Sequence, residues 1–127
     1  MATHDRIIRT ALWSAVAFNL LGVAVFLPAT LGRAAPMIPI EAPPYFAAQI
    51  CFTIALFGGV YAWLARQSRI PRSLVVTGGI GKLGFFSLNI VYWMSGDLPF
   101  SSVWQSAPDA AFAGVFLWWA ATAPRDA

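Results

Sequence analysis

The chain has 127 residues, 59% of them hydrophobic and only 10% charged, with a mean hydropathy of +0.69. Soluble domains are near half apolar and a quarter charged, so this composition predicts one membrane-embedded domain over 1–127 and no separate soluble one. The net charge of +3 does not point to nucleic acid, because the basic residues lie in short clusters between apolar runs.

Four apolar segments follow in order, 7–27, 45–65, 74–95 and 107–123. The first three each have the ~20 residues that span a ~30 Å hydrocarbon core. Arg6 and Arg9 stand at the start of the first, as in a signal peptide, but its run is long for an h-region and no small-x-small site follows, so a retained helix is predicted. The fourth is shorter. Pro108 suits the first position of a helix, and Ser106 with Asp109 has the S-x-x-D spacing of a capping box.

Arg6, Arg9, Arg66, Arg69, Arg72 and Arg125 all fall on one side of such a bundle, and only Arg33 falls on the other. The positive-inside rule then places both termini in the cytoplasm. The expected class is all-α, a four-transmembrane-helix bundle of a bacterial inner membrane. Trp13, Trp63, Trp118, Trp119, Trp93 and Trp104 lie near segment ends, as an aromatic belt requires; Tyr45, Tyr61 and Tyr92 read as belt residues too. Five prolines between Pro28 and Pro44 predict an irregular outer loop. A weak internal echo matches 18–21 with 88–91 and 44–48 with 108–112, as two hairpins in parallel repeat would.

In lipid, helices meet where small side chains let backbones approach. Ala47, Cys51, Ala55 and Gly58 stripe the second helix, and Thr77, Gly81 and Gly84 the third, so these two consecutive helices are expected to pack on each other. A single cysteine allows no intrachain disulfide, and the one histidine, His4, has no ligand partners at metal spacing. No metal or cofactor is expected.

Polar residues inside the spans hold what chemistry there is. Lys82 lies about 12 Å above the cytoplasmic boundary at a rise of ~1.5 Å per residue, and a charge at that depth is costly. One reading has Lys82 snorkel past Tyr61 to the interface, with Asp109 serving as a helix cap. The other pairs Lys82 with Asp109, surrounded by Asn19, Gln49 and Asn89, as a binding or proton-carrying cluster. Arg66, Arg69 and Arg72 are expected to meet anionic lipid headgroups.

The stretches Asn19–Gly22, Gly58–Ala65 and Gly78–Phe86 resemble small four-helix bacterial inner-membrane proteins, and the chain is similar to the DoxX-type proteins in size and topology. The resemblance implies an inner-membrane bundle and carries no activity with it. No membrane histidine stands ready to activate a serine or cysteine. The expectation is a non-catalytic accessory or structural subunit, packing against lipids and a larger membrane complex or another copy of itself. The alternatives are a small oligomeric transporter built on Lys82, Asp109 and Asn89, and an enzyme acting on a lipid or quinone.

Overall fold

The structure, a computed structural model, describes residues 3–38 and 41–125. It is all-helical: α1 (Thr3–Thr30), α2 (Pro44–Arg66), α3 (Arg72–Met94) and α4 (Phe100–Thr122). Pro39, within the proline-rich loop, lies outside the described residues. The first three helices are long and apolar enough to cross a membrane, which marks the chain as a membrane protein. Helix α4 matches α2 and α3 in length, at 23 residues. It falls short of their hydropathy because Ser101, Ser102, Gln105, Ser106 and Asp109 fill its first half.

Helix boundaries follow local chemistry. Helices α2, α3 and α4 each start directly after a proline, at Pro43, Pro71 and Pro99, whose fixed φ and missing N–H suit a helix entrance. Helices α1 and α3 end on glycines in the left-handed region, Gly32 at φ 71° and Gly96 at φ 88°. Arg33 and Asp97 N–H groups donate back to Pro28 O and Tyr92 O, the Schellman closure that only a residue without Cβ makes at no steric cost. The expected start of the fourth helix at 107 is therefore corrected. Phe100 opens α4, Pro108 sits in its interior, and Ser106 donates to Ser102 O and Val103 O instead of capping.

The helices pair as two antiparallel hairpins, α1 with α2 and α3 with α4, joined along a slighter α1–α4 contact. The packing expected between the α2 and α3 stripes is overturned. Gly58 meets Asn19 of α1, Cys51 has its Sγ 3.9 Å from Val23 O of α1, and Ala55 is exposed. A Cβ placed on Gly81 or Gly84 would meet nothing. Tyr61 of α2 does reach α3, its Cε1 2.9 Å from where a Cβ on Gly78 would stand.

Each hairpin repeats the other in a register that the contacts define. Arg6-Ile7-x-Arg9-Thr10 entering α1 returns as Arg69-Ile70-x-Arg72-Ser73 entering α3. Phe57-x-Gly59-Val60-Tyr61-x-Trp63-x-Ala65 in α2 returns as Phe112-x-Gly114-Val115-Phe116-x-Trp118-x-Ala120 in α4. Arg9 donates to Ala65 O at 2.7 Å, and Arg72 donates to Ala120 O, the matching carbonyl. The echo read from sequence had the wrong register: Pro44 opens α2, whereas Pro108 lies mid-helix in α4.

The apolar core, built on Ile8, Leu12, Tyr61, Leu64, Val75, Phe116 and Trp119, occupies the arginine-rich half of the bundle. Tyr61 and Phe116, equivalent in the repeat, meet edge to face at 5.5 Å between ring centroids. Toward the opposite end no residue of α1 from Leu20 to Pro28, and none of α3 from Leu83 to Met94, is buried.

A Cβ on Gly78 would sit 2.9 Å from Tyr61 Cε1, and that ring is held between Phe57 and Phe116. Gly78→Ala is expected to destabilise the bundle by ~1–3 kcal/mol through overpacking. Gly81→Ala and Gly84→Ala should be neutral or stabilising by up to about 1 kcal/mol, since alanine favours the helix and meets no neighbour. Unfolding in detergent micelles separates the two cases; losses at Gly81 and Gly84 would restore the α2–α3 stripe.

Candidate functional site

Midway along the bundle the polar groups join into one chain that touches all four helices. Lys82 of α3 places its Nζ 2.8 Å from Asp109 Oδ1 of α4 and 3.3 Å from Asn19 Oδ1 of α1. Asn19 then donates from Nδ2 to Ile54 O of α2 at 2.9 Å. Gly58 leaves room for this reach, because a Cβ there would stand 3.3 Å from the Asn19 Cβ. Lys82, Asp109 and Asn19 are 6%, 5% and 7% exposed. Lys82 therefore does not snorkel: it bonds laterally within the bundle. Asp109 is a partner in an ion pair, and the expected capping box does not form.

The remaining surroundings of the ammonium are aromatic. Phe18, Tyr61 and Phe112 place their ring centroids 5.3, 5.3 and 5.2 Å from Nζ. Ring faces carry negative charge, so three of them around a desolvated cation each contribute on the order of 1 kcal/mol. Every fully buried side-chain nitrogen and oxygen among the described residues has a hydrogen-bond partner. A buried ion pair satisfied in this way costs little to keep and much to break.

Of the five residues read as a polar cluster, the structure brings together Lys82, Asp109 and Asn19 and leaves two apart. Asn89 folds its amide back onto Phe85 O of its own helix at 2.9 Å, and Gln49 bonds the Tyr45 hydroxyl at 3.0 Å on the exposed side of α2. Lys82 and Asn89 are seven residues apart in sequence, but Asn89 belongs to the half of α3 in which no residue is buried. The rings around Lys82 were not legible beforehand. Tyr61, assigned to a belt, is 3% exposed at the centre, and Trp119 is buried beneath Arg72. The other five tryptophans are exposed as expected.

A second set of polar groups closes the arginine-rich end. Arg9 pairs with Asp5 at 2.9 Å and donates to Ala65 O and Ser68 O. Arg72 donates to Ala120 O, Ala123 O and Pro124 O, with its guanidinium 5.7 Å over Trp119. Each arginine thus satisfies the last carbonyls of the helix that closes its hairpin, where helices leave acceptors unpaired and cations are favoured. Arg66 is exposed and takes no part in these bonds.

Two pockets indent the surface. One, about 420 Å³, is an apolar groove between α1 and α4, lined in part by Phe112, whose ring also faces Lys82. The other, about 440 Å³, lies among the arginines. Among the described residues no three histidine, cysteine or acidic side chains gather as a metal site would need.

Fold and site together define a membrane protein of two repeated helical hairpins, joined where Lys82, ion-paired with Asp109 inside the second hairpin, bonds Asn19 of the first. Neither a family model, nor a curated protein, nor a solved structure matches the chain.

Lys82→Met leaves the Asp109 carboxylate buried without its cation and is expected to cost ~3–5 kcal/mol. The double variant Lys82→Met/Asp109→Leu should recover most of that loss, since an apolar replacement of the whole pair is near neutral. Unfolding of purified protein in micelles gives both numbers. A single variant as stable as the wild type would show that the pair carries no load.

Proposed function

We propose that the chain is a small multi-pass protein of the bacterial inner membrane that acts without catalysis, as a subunit packed against lipids and a larger membrane assembly. The observation that carries this reading is the employment of Lys82: its ammonium is bonded to Asp109 and Asn19 and walled by three rings. Intramembrane charges are functional candidates by default, but this one holds the four helices to each other.

All four helices span in this reading. The one charge within α4, Asp109, is neutralised by Lys82, so α4 presents lipid with a surface more apolar than its sequence hydropathy indicates. Both termini lie in the cytoplasm, because Arg6, Arg9, Arg66, Arg69, Arg72 and Arg125 gather at one end and only Arg33 at the other. Large apolar side chains cover the flanks, among them Phe46, Phe52, Phe85, Leu88 and Trp104, all at least 46% exposed.

A carrier is the second reading, favoured by one feature: Lys82, ion-paired within the second repeat, bonds Asn19 of the first, and substrate sites in repeat-built transporters lie at such a seam. Such a site would use Lys82, Asp109 and Asn19, while Asn89 bonds elsewhere.

Extraction from native membranes into polymer-bounded nanodiscs, followed by native mass spectrometry, tests the subunit reading. The expected result is a species well above the 13.7 kDa of one chain, containing a second protein chain. A lone monomer without bound lipid would contradict it.

A further inference from the structure

The two hairpins differ at one charge. In the first, Arg9 gives its Nε–H to Asp5 Oδ2 at 2.9 Å and an Nη–H to Ala65 O. In the second, Arg72 reproduces the carbonyl half of that arrangement through Ala120 O and Ala123 O. The position matching Asp5 in the repeat is Ser68, directly before Arg69-Ile70-x-Arg72, so the carboxylate is missing. Among the described residues no acid lies within ion-pair distance of Arg72 and none accepts a hydrogen bond from its Nε–H.

A pocket of about 440 Å³ opens at that place. Ser68, Arg69, Arg72, Trp119 and Arg125 border it, with Asp5, engaged by Arg9, on the same rim. Arg72 is fixed in position there, since both Nη atoms are tied to carbonyls and its plane rests over Trp119. A guanidinium fixed in this way loses little freedom on meeting an oxyanion. Arg72 also opens the 23-residue α3, whose first N–H groups have no helical acceptor and favour negative charge.

We propose that this pocket binds a phosphate-bearing anion, which supplies to Arg72 the negative charge that Asp5 supplies to Arg9. Charge-assisted bonds from arginine to phosphate oxygens are among the strongest available to a protein. The headgroup of an anionic phospholipid and free phosphate offer the same oxygens; Trp119 and Ile70 add an apolar wall beside them. The site stands whether or not the chain is a subunit of a larger assembly.

The test uses the full chain in phosphatidylcholine nanodiscs, following its thermal unfolding. One arm replaces part of the lipid with phosphatidylglycerol; the other titrates inorganic phosphate against chloride at equal ionic strength. A raised midpoint in the first arm alone assigns a lipid headgroup, and in the second a soluble phosphate. Ser68→Asp supplies a carboxylate at the pocket from within the chain, and it should abolish the response. Arg125→Gln, at an exposed position, should weaken apparent affinity by about tenfold, the scale of one charge-assisted hydrogen bond. A wild type that answers to neither anion overturns the proposal. So does a response that survives both substitutions at full strength.

Discussion

The run of hydrogen bonds from Asp109 through Lys82 and Asn19 to Ile54 O is the constraint on which this bundle depends. In lipid, apolar surface gives no drive for one helix to prefer another, so close packing and polar contacts between helices decide their arrangement. An unpaired lysine at mid-depth would be expelled toward an interface or would prevent insertion. Here the lysine has an acid on the neighbouring helix, an amide on the opposite hairpin and rings on three helices. Losing Asn19 or the rings of Phe18 and Tyr61 loosens the hold of one hairpin on the other, and losing Asp109 leaves the ammonium without its countercharge.

The repeat explains where the asymmetry comes from. Both hairpins use an arginine at the start of the first helix to satisfy carbonyls at the end of the second. Both place a polar side chain ten positions further on, Asn19 in one and Lys82 in the other. Asn19 needs only a backbone acceptor and takes Ile54 O; Lys82 needs a countercharge and takes Asp109, which occupies the position matching Ile54. Two similar hairpins thereby become a unit in which the first can hydrogen-bond the second but neither can replace the other. The core lies below this level, and above it each hairpin packs mainly on itself. The opposite end is consequently the looser half of the molecule.

Much of this architecture was legible in the sequence, and for a physical reason. Helix number and approximate extent follow from apolar run length, whereas the stops at Gly32 and Gly96 and the starts after Pro43, Pro71 and Pro99 come from the structure. Helix α4 was misjudged because Pro108 and Asp109 look like a helix entrance. Pro108 instead lies in the interior of α4, where it leaves one carbonyl without its helical donor, while nearby Ser102 and Ser106 bond back to the turn before them. The pairing of α1 with α2 and α3 with α4 was missed because glycine stripes show which surfaces permit close approach, not which surface is met. Gly81 and Gly84 meet none. Lys82 was visible as an anomaly, but its surroundings were not. Phe18, Tyr61 and Phe112 come from three helices, and no spacing within one helix announces them.

Lys82 is the only lysine in the chain, which makes its bonding directly observable. Lysine labelled with nitrogen-15 gives one ammonium signal in the folded protein, with no assignment needed. A slowly exchanging ammonium is expected, shifted by Asp109→Asn and again by Asn19→Ala. A signal that exchanges as fast as that of free lysine, and that neither substitution moves, would contradict the clasp.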